Sequence, residues 1–284
     1  MDSISERSPK RPSVIAKFPN AAPAEDITRP IYFLHIPKTG GTTLHHFIAS
    51  NFQENSICPA HLWHQLIALD PQRVSQYAFI WGHFYGYLHR FVPEPIRYIT
   101  LLRNPVDRAL SHYAHVMRDA GHYLHARARQ LESFSAYIQD AEMMTTVANF
   151  QVRSLTLDFD VAAIAATLSP QDLASLKLER LLVTATPSIP DRDALEIAKQ
   201  RLKQMCFVGI TERFEDSVKL LCNRFHWAAP ATLQSQNISP ERPQSHGLPD
   251  ADLRLLREFN EQDLLLYDFA VELLEQQTQV HPGR

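Results

Sequence analysis

Six consecutive residues, 38–43, carry the groups that a phosphate or sulfate anion needs. Lys38 supplies a mobile cation, and Thr42 and Thr43 supply hydroxyl donors. Gly40 and Gly41 let the backbone approach a ligand closely. Before them comes the apolar, β-rich run 31–36, stopped by Pro37. After them, from Thr42, Leu44, Phe47 and Ile48 recur at helical spacing. A helix that starts at a tight turn offers N–H groups and a partial positive charge to an anion. The order is not that of G-x-x-x-x-G-K-[ST]: here the lysine precedes the glycines and the loop is shorter.

A second constellation is RYITLLRNPVDRALSHY. Arg103 follows a strand pattern over 97–102, at the carboxyl end where open α/β sheets bind ligands. Pro105 suits a first helical turn, and Gly121 is expected to close that helix. Arg103 presents a planar charged fork to a dianionic phosphate, and Ser111, almost two turns into the helix, adds a hydroxyl. Arg108 reads as a structural ion-pair partner. A third is FIWGHFYGYLHRF, where His83 follows a strand candidate at 78–81 and sits between Gly82 and Gly86. A histidine with its ordinary pKa of about 6.5 is mostly neutral near pH 7 and can remove a hydroxyl proton. His61 and His64 stand three apart, a spacing that can bind metal on a helix. Nothing nearby supplies further ligands, so they read as structural or substrate-lining, and no metal site is expected.

Positioning these groups requires strands alternating with helices. Further strand patterns lie at 181–186 and 206–210, and helical ones at 191–205, 214–225 and 250–276. The stretch 120–170 reads as mostly helical. The alternation points to an α/β fold: a P-loop-like core with a largely parallel β-sheet flanked by helices. Residues 1–30, with five prolines, read as a flexible arm, and 31–278 as the single ordered domain.

Composition narrows the function classes. The chain has 284 residues, 45% of them hydrophobic, enough for a sizeable core. A net charge of −3 excludes a generally basic nucleic-acid or membrane binder. Three scattered cysteines suit a reducing compartment rather than a disulfide framework. No apolar run reaches the roughly 18 residues of a membrane span. Glycine is scarce, 8 against 19 prolines, and four of the eight (Gly40, Gly41, Gly82, Gly86) fall in the candidate loops.

The segment HIPKTGGTTL resembles the 5′-phosphosulfate loop of sulfotransferases that use 3′-phosphoadenosine 5′-phosphosulfate, in the branch with the heparan and dermatan 2-O-sulfotransferases and bacterial relatives. The resemblance runs from Ile31 to Gln276, and its specific part is the first two motifs. It implies that Lys38 contacts the phosphosulfate and supports the leaving group. The backbone of Thr39, Gly40, Gly41, Thr42 and Thr43 would cradle the 5′-phosphate, Arg103 and Ser111 would hold the 3′-phosphate, and His83 would be the base. Gln151 and Arg153, in NFQVRSL, would line the acceptor site. Arg242, in NISPERPQSHG, either closes over the nucleotide or belongs to an ordinary polar surface loop. FVGITERFEDSVKLL, with Gly209 at the strand end, resembles a strand–loop–helix that recurs in the family.

The implied reaction moves a sulfuryl group to a glycan or glycolipid hydroxyl and releases adenosine 3′,5′-bisphosphate, without a metal or a nucleic-acid partner. Golgi relatives carry an N-terminal membrane anchor. None is visible here, which points to a bacterial, cytoplasmic enzyme and leaves peripheral membrane association open. One rival is a P-loop kinase or nucleotide hydrolase. Against it, the lysine precedes the glycine pair, and the third strand ends in Arg103 rather than a magnesium-holding aspartate. The other is a catalytically inactive nucleotide-binding protein, against which Lys38 and His83 argue. Oligomeric state is not legible.

Overall fold

Strand β1 (Ile31–Leu34) has all four side chains buried. Successive strand residues point to opposite faces, so both faces of the sheet are covered here. That is why the strands read as continuous apolar runs rather than alternating ones. The computed structural model describes residues 26–174 except 85, 94 and 159, then 192–230 and 247–280. After β1 the chain enters helix α1 (Gly41–Ala49), then β2 (Phe79–Gly82) and β3 (Arg97–Leu102). Helix α2 (Pro105–Arg118) follows at once. Short helices lead to α3 (Phe150–Thr156). Then come α4 (Arg192–Gln204), β4 (Phe207–Ile210), α5 (Phe214–Phe225), α6 (Asp250–Phe259) and α7 (Glu261–Val280).

The four strands among the described residues are parallel, in the order β2-β1-β3-β4. Leu34 pairs with Gly82 on one side and Thr100 on the other, and Leu102 pairs with Ile210. The residues that follow each strand therefore emerge at one edge of the sheet. The order in which strands are added reverses at β1, with β2 on one side and β3 on the other, and the gap between β1 and β3 is the switch point where α/β sheets open a ligand crevice.

The expected parallel α/β sheet is present, and the local boundaries shift for identifiable reasons. Helix α2 starts at Pro105 because the Asn104 side chain accepts the Val106 and Asp107 N–H groups. It ends at Arg118, short of Gly121, whose own N–H bonds Asp119 Oδ1 at 3.0 Å. The single long helix expected over 250–276 is two helices. They break at Asn260, whose carboxamide accepts the Asn149 N–H at 3.2 Å and donates to the Leu256 carbonyl at 2.9 Å. The strand expected at 181–186 and residues 1–25 of the arm lie outside the described residues. Among the described residues, no helix is long and apolar enough to cross a membrane.

Candidate active site

The loop between β1 and α1 carries two left-handed residues, Lys38 at φ 73° and Gly40 at φ 82°. For lysine this conformation costs on the order of 1–2 kcal/mol, so the surroundings must hold it. They do so through backbone carbonyls. The buried Thr39 hydroxyl donates to the Ile36 carbonyl at 2.8 Å. Arg103 Nη1 donates to the Lys38 carbonyl at 2.9 Å. The Thr211 hydroxyl, just past β4, lies 2.5 Å from the Thr39 carbonyl and 2.9 Å from that of Leu102. The turn after β4 thus fastens the loop to the end of β3. The N-cap of α1 is Gly40, which has no side chain to accept the first-turn N–H groups.

Gly41 is required by a neighbour rather than by its own dihedrals. A Cβ there would stand 2.2 Å from Cδ2 of His35. Gly41→Ala is expected to overpack this contact by about 1–3 kcal/mol, lowering the thermal midpoint by about 2–4 °C per kcal/mol. Gly247→Ala, with nothing within 4 Å of its Cβ, is the control and should leave the midpoint unchanged in the same calorimetric scan.

Arg103 is only 8% exposed. Its Nε is buried without a hydrogen-bond partner, 3.9 Å from Glu212 Oε1. That same oxygen accepts the Asn104 N–H at 3.0 Å, and Glu212 Oε2 accepts the Tyr267 hydroxyl at 3.0 Å. Burial raises the Glu212 pKa above the usual glutamate value. Ser111 is partly buried on α2. Its helical neighbour four residues on, His115, has its pKa lowered to about 4 by burial first and then by the Lys38 charge. Residues at this spacing share a helix face, so Ser111 and His115 lie on the same side of α2.

His83 stands just beyond β2, and its backbone N–H donates to the His61 carbonyl at 2.9 Å. Its ring lies 4.9 Å from the His35 ring, centroid to centroid. Burial, then the charges of His61 and Lys38, push the His83 pKa down to about 4. Burial and the same neighbourhood push His35 well below the usual histidine value. Burial and the Arg118 charge lower the Lys38 ammonium as well. Near neutral pH the site therefore pairs a lysine cation with uncharged imidazoles. The His61 ring sits 4.6 Å from that of Trp81. Sequence reasoning left His35 out. Its signal was the glycine at 41, which needs a bulky neighbour to be obligatory. Among the described residues, no group of three or more His, Cys, Asp or Glu is placed to hold a metal ion.

Other expected site residues fall elsewhere. Gln151 is 0% exposed and both ends of its carboxamide are bonded to the Arg103 backbone. Arg153 is 3% exposed, and its Nη1 donates to the Thr145 and Ala148 carbonyls. Both side chains are thus buried and bonded to backbone groups, Gln151 at the end of β3 and Arg153 on α3. Arg108 is buried, donating to the Thr146 and Val147 carbonyls at 2.8 and 3.0 Å, with its guanidinium 4.8 Å from the Phe150 ring. Arg242 lies outside the described residues.

No family model matches the chain. Curated relatives do. Heparan-sulfate 6-O-sulfotransferase 2 of Danio rerio is 29% identical, over 88% of this chain and 58% of its own length. Heparan-sulfate 6-O-sulfotransferase 1-B of Danio rerio is 27% identical, over 88% of this chain and 67% of its own. Over most of its length the chain is similar to sulfotransferases. Heparan-sulfate 6-O-sulfotransferase 2 of Gallus gallus, 26% identical over 88% of the chain, extends the same relationship. Within the sulfotransferases the branch differs from the expected one, because these relatives are named for 6-O rather than 2-O transfer. The chain spans 58% of the length of the first of them.

Proposed function

We propose that residues 31–278 form one catalytic domain that transfers a sulfuryl group from 3′-phosphoadenosine 5′-phosphosulfate to a carbohydrate or glycolipid hydroxyl, releasing adenosine 3′,5′-bisphosphate. The observation that carries this reading is the parallel register. It brings the left-handed Lys38 loop, Arg103 and His83 out at one edge of the sheet. The names of the relatives support a glycan acceptor.

The residues present fit the donor. The left-handed Gly40 lets the loop turn into the N-terminus of α1, and the buried Arg103 Nε still has a proton to donate. The backbone from Thr39 to Thr43 would hold the 5′-phosphate, and Arg103 with Ser111 the 3′-phosphate. The donor supplies an activated sulfuryl group on a phosphate leaving group. Lys38 and the N-terminus of α1 stabilise the negative charge that develops there, by donors already in place. His83, uncharged near pH 7, accepts the acceptor hydroxyl proton. Arg242 would add a cation if its loop closes over the nucleotide. A reducing, cytoplasmic setting completes the reading, and the three buried cysteines, all unbridged, support it.

A thermal-shift titration tests the donor assignment. Adenosine 3′,5′-bisphosphate at about 100 times its Kd should add about 2.7 kcal/mol, a rise of about 5–10 °C, without magnesium. ATP should not. Stabilisation by ATP with magnesium alone overturns the reading in favour of a kinase or nucleotide hydrolase.

A further inference from the structure

The ladder of β3 ends at the pair Leu102–Ile210. The next residue is Arg103, where the chain leaves the sheet to begin α2 two residues later. Its peptide groups are nonetheless paired, by a side chain. The Arg103 N–H donates to Gln151 Oε1 at 3.0 Å, and Gln151 Nε2 donates to the Arg103 carbonyl at 2.8 Å. In extended chain the N–H and C=O of one residue point the same way, and a primary carboxamide offers an acceptor and a donor side by side. The Gln151 side chain thus takes the place of a neighbouring strand for one residue.

Gln151 is itself held from a distant part of the chain. Its backbone N–H donates to Asp263 Oδ2 at 2.9 Å, and that of Val152 to Asp263 Oδ1 at 2.7 Å. The buried Asp263 carboxylate therefore caps α3 from α7. Asn149 returns the bond, its Oδ1 accepting the Asp263 N–H at 3.0 Å. The line of support runs from Asp263 through Gln151 to the Arg103 peptide, and from Arg103 Nη1 to the Lys38 carbonyl of the loop.

We propose that Gln151 is a positioning residue for recognition of the nucleotide 3′-phosphate: its bracket on both peptide groups of Arg103 fixes where the guanidinium stands. This rests on the assignment of Arg103 to the 3′-phosphate made above. A buried glutamine that served only the fold would affect stability and every ligand alike. A positioning residue acts on one phosphate.

The test is calorimetric affinity for two ligands, adenosine 3′,5′-bisphosphate and adenosine 5′-monophosphate. The ratio of the two reads the 3′-phosphate alone. In the unaltered chain the bisphosphate should bind far more tightly, and Arg103→Lys should reduce that preference. Gln151→Met, similar in shape but without the amide, should cut the preference about tenfold (1.4 kcal/mol), with affinity for the monophosphate held within about twofold. Gln151→Asn keeps the amide but falls one methylene short. It should show the same loss, and it carries the test if the methionine variant does not fold. Val152→Ala, a core truncation on the same helix, should lower the thermal midpoint and leave the ratio alone. A ratio unchanged in both Gln151 variants, or lowered equally by Val152→Ala, overturns the proposal while leaving the donor assignment standing. An unaltered chain with no preference for the bisphosphate overturns the donor assignment itself, and this proposal with it.

Discussion

Lys38→Met is expected to lower kcat by about 10²–10³-fold, the usual consequence of removing one preorganised charge donor from a developing anion. Affinity for adenosine 3′,5′-bisphosphate should fall far less. The loop is held through the Lys38 carbonyl, which accepts from Arg103, and not through the lysine side chain. The bisphosphate also lacks the sulfuryl group whose transfer the ammonium assists. Lys38→Gly sharpens the expectation. Glycine adopts φ 73° freely, so this variant should be no less stable than the parent in a thermal scan and still be as inactive as Lys38→Met. Such a result separates the two demands on position 38, a left-handed backbone and a cation. An unchanged kcat in either variant removes Lys38 from the chemistry.

His83→Ala is expected to lower kcat by about 10²–10⁴-fold, the range for a positioned general base, with bisphosphate binding largely intact. The pH profile carries the finer statement. In the free enzyme His83 titrates at about 4, so kcat/KM should hold down to that region and fall below it as the imidazole is protonated. A bound dianionic nucleotide opposes the Lys38 charge and favours the imidazolium. The acid limb of kcat, which reports the complex, should therefore lie at higher pH than that of kcat/KM. Both limbs should vanish from the residual activity of His83→Ala. His61, whose carbonyl holds the His83 backbone, makes the necessary companion variant. Full activity in His83→Ala with its loss in His61→Ala moves the base to His61.

The parts of this site that the sequence displays are those encoded locally. Lys38, Gly40, Gly41 and Arg103 stand next to strand ends, and strand, turn and helix patterns a few residues long place them. The parallel sheet follows from the same alternation. What the sequence hides is pairing across distance. Gln151 looks like a polar residue free to meet a substrate, because nothing local reveals that Asp263 holds its backbone and the Arg103 peptide consumes its amide. The inward donation of Arg153 Nη1 to the Thr145 and Ala148 carbonyls is hidden in the same way. The break at Asn260 is invisible in a leucine-rich stripe, since the Asn260 carboxamide is bonded to the N–H of Asn149, the residue just before α3. Thr211 passes as an ordinary residue after a strand until its hydroxyl is seen between the Thr39 and Leu102 carbonyls.

The mutual capping of α3 and α7 also sets an order of events during synthesis. Asp263 emerges from the ribosome 112 residues after Gln151. Until it does, the N-terminus of α3 lacks the carboxylate that satisfies it, even though strands β1 to β4 have already been made. Contacts this far apart in sequence carry a loop-closure cost and form late. The nascent chain therefore passes through a stage in which the sheet is assembled but the ligand edge is unfinished. On the reading proposed above, the preference for a 3′-phosphate would arrive only with α7.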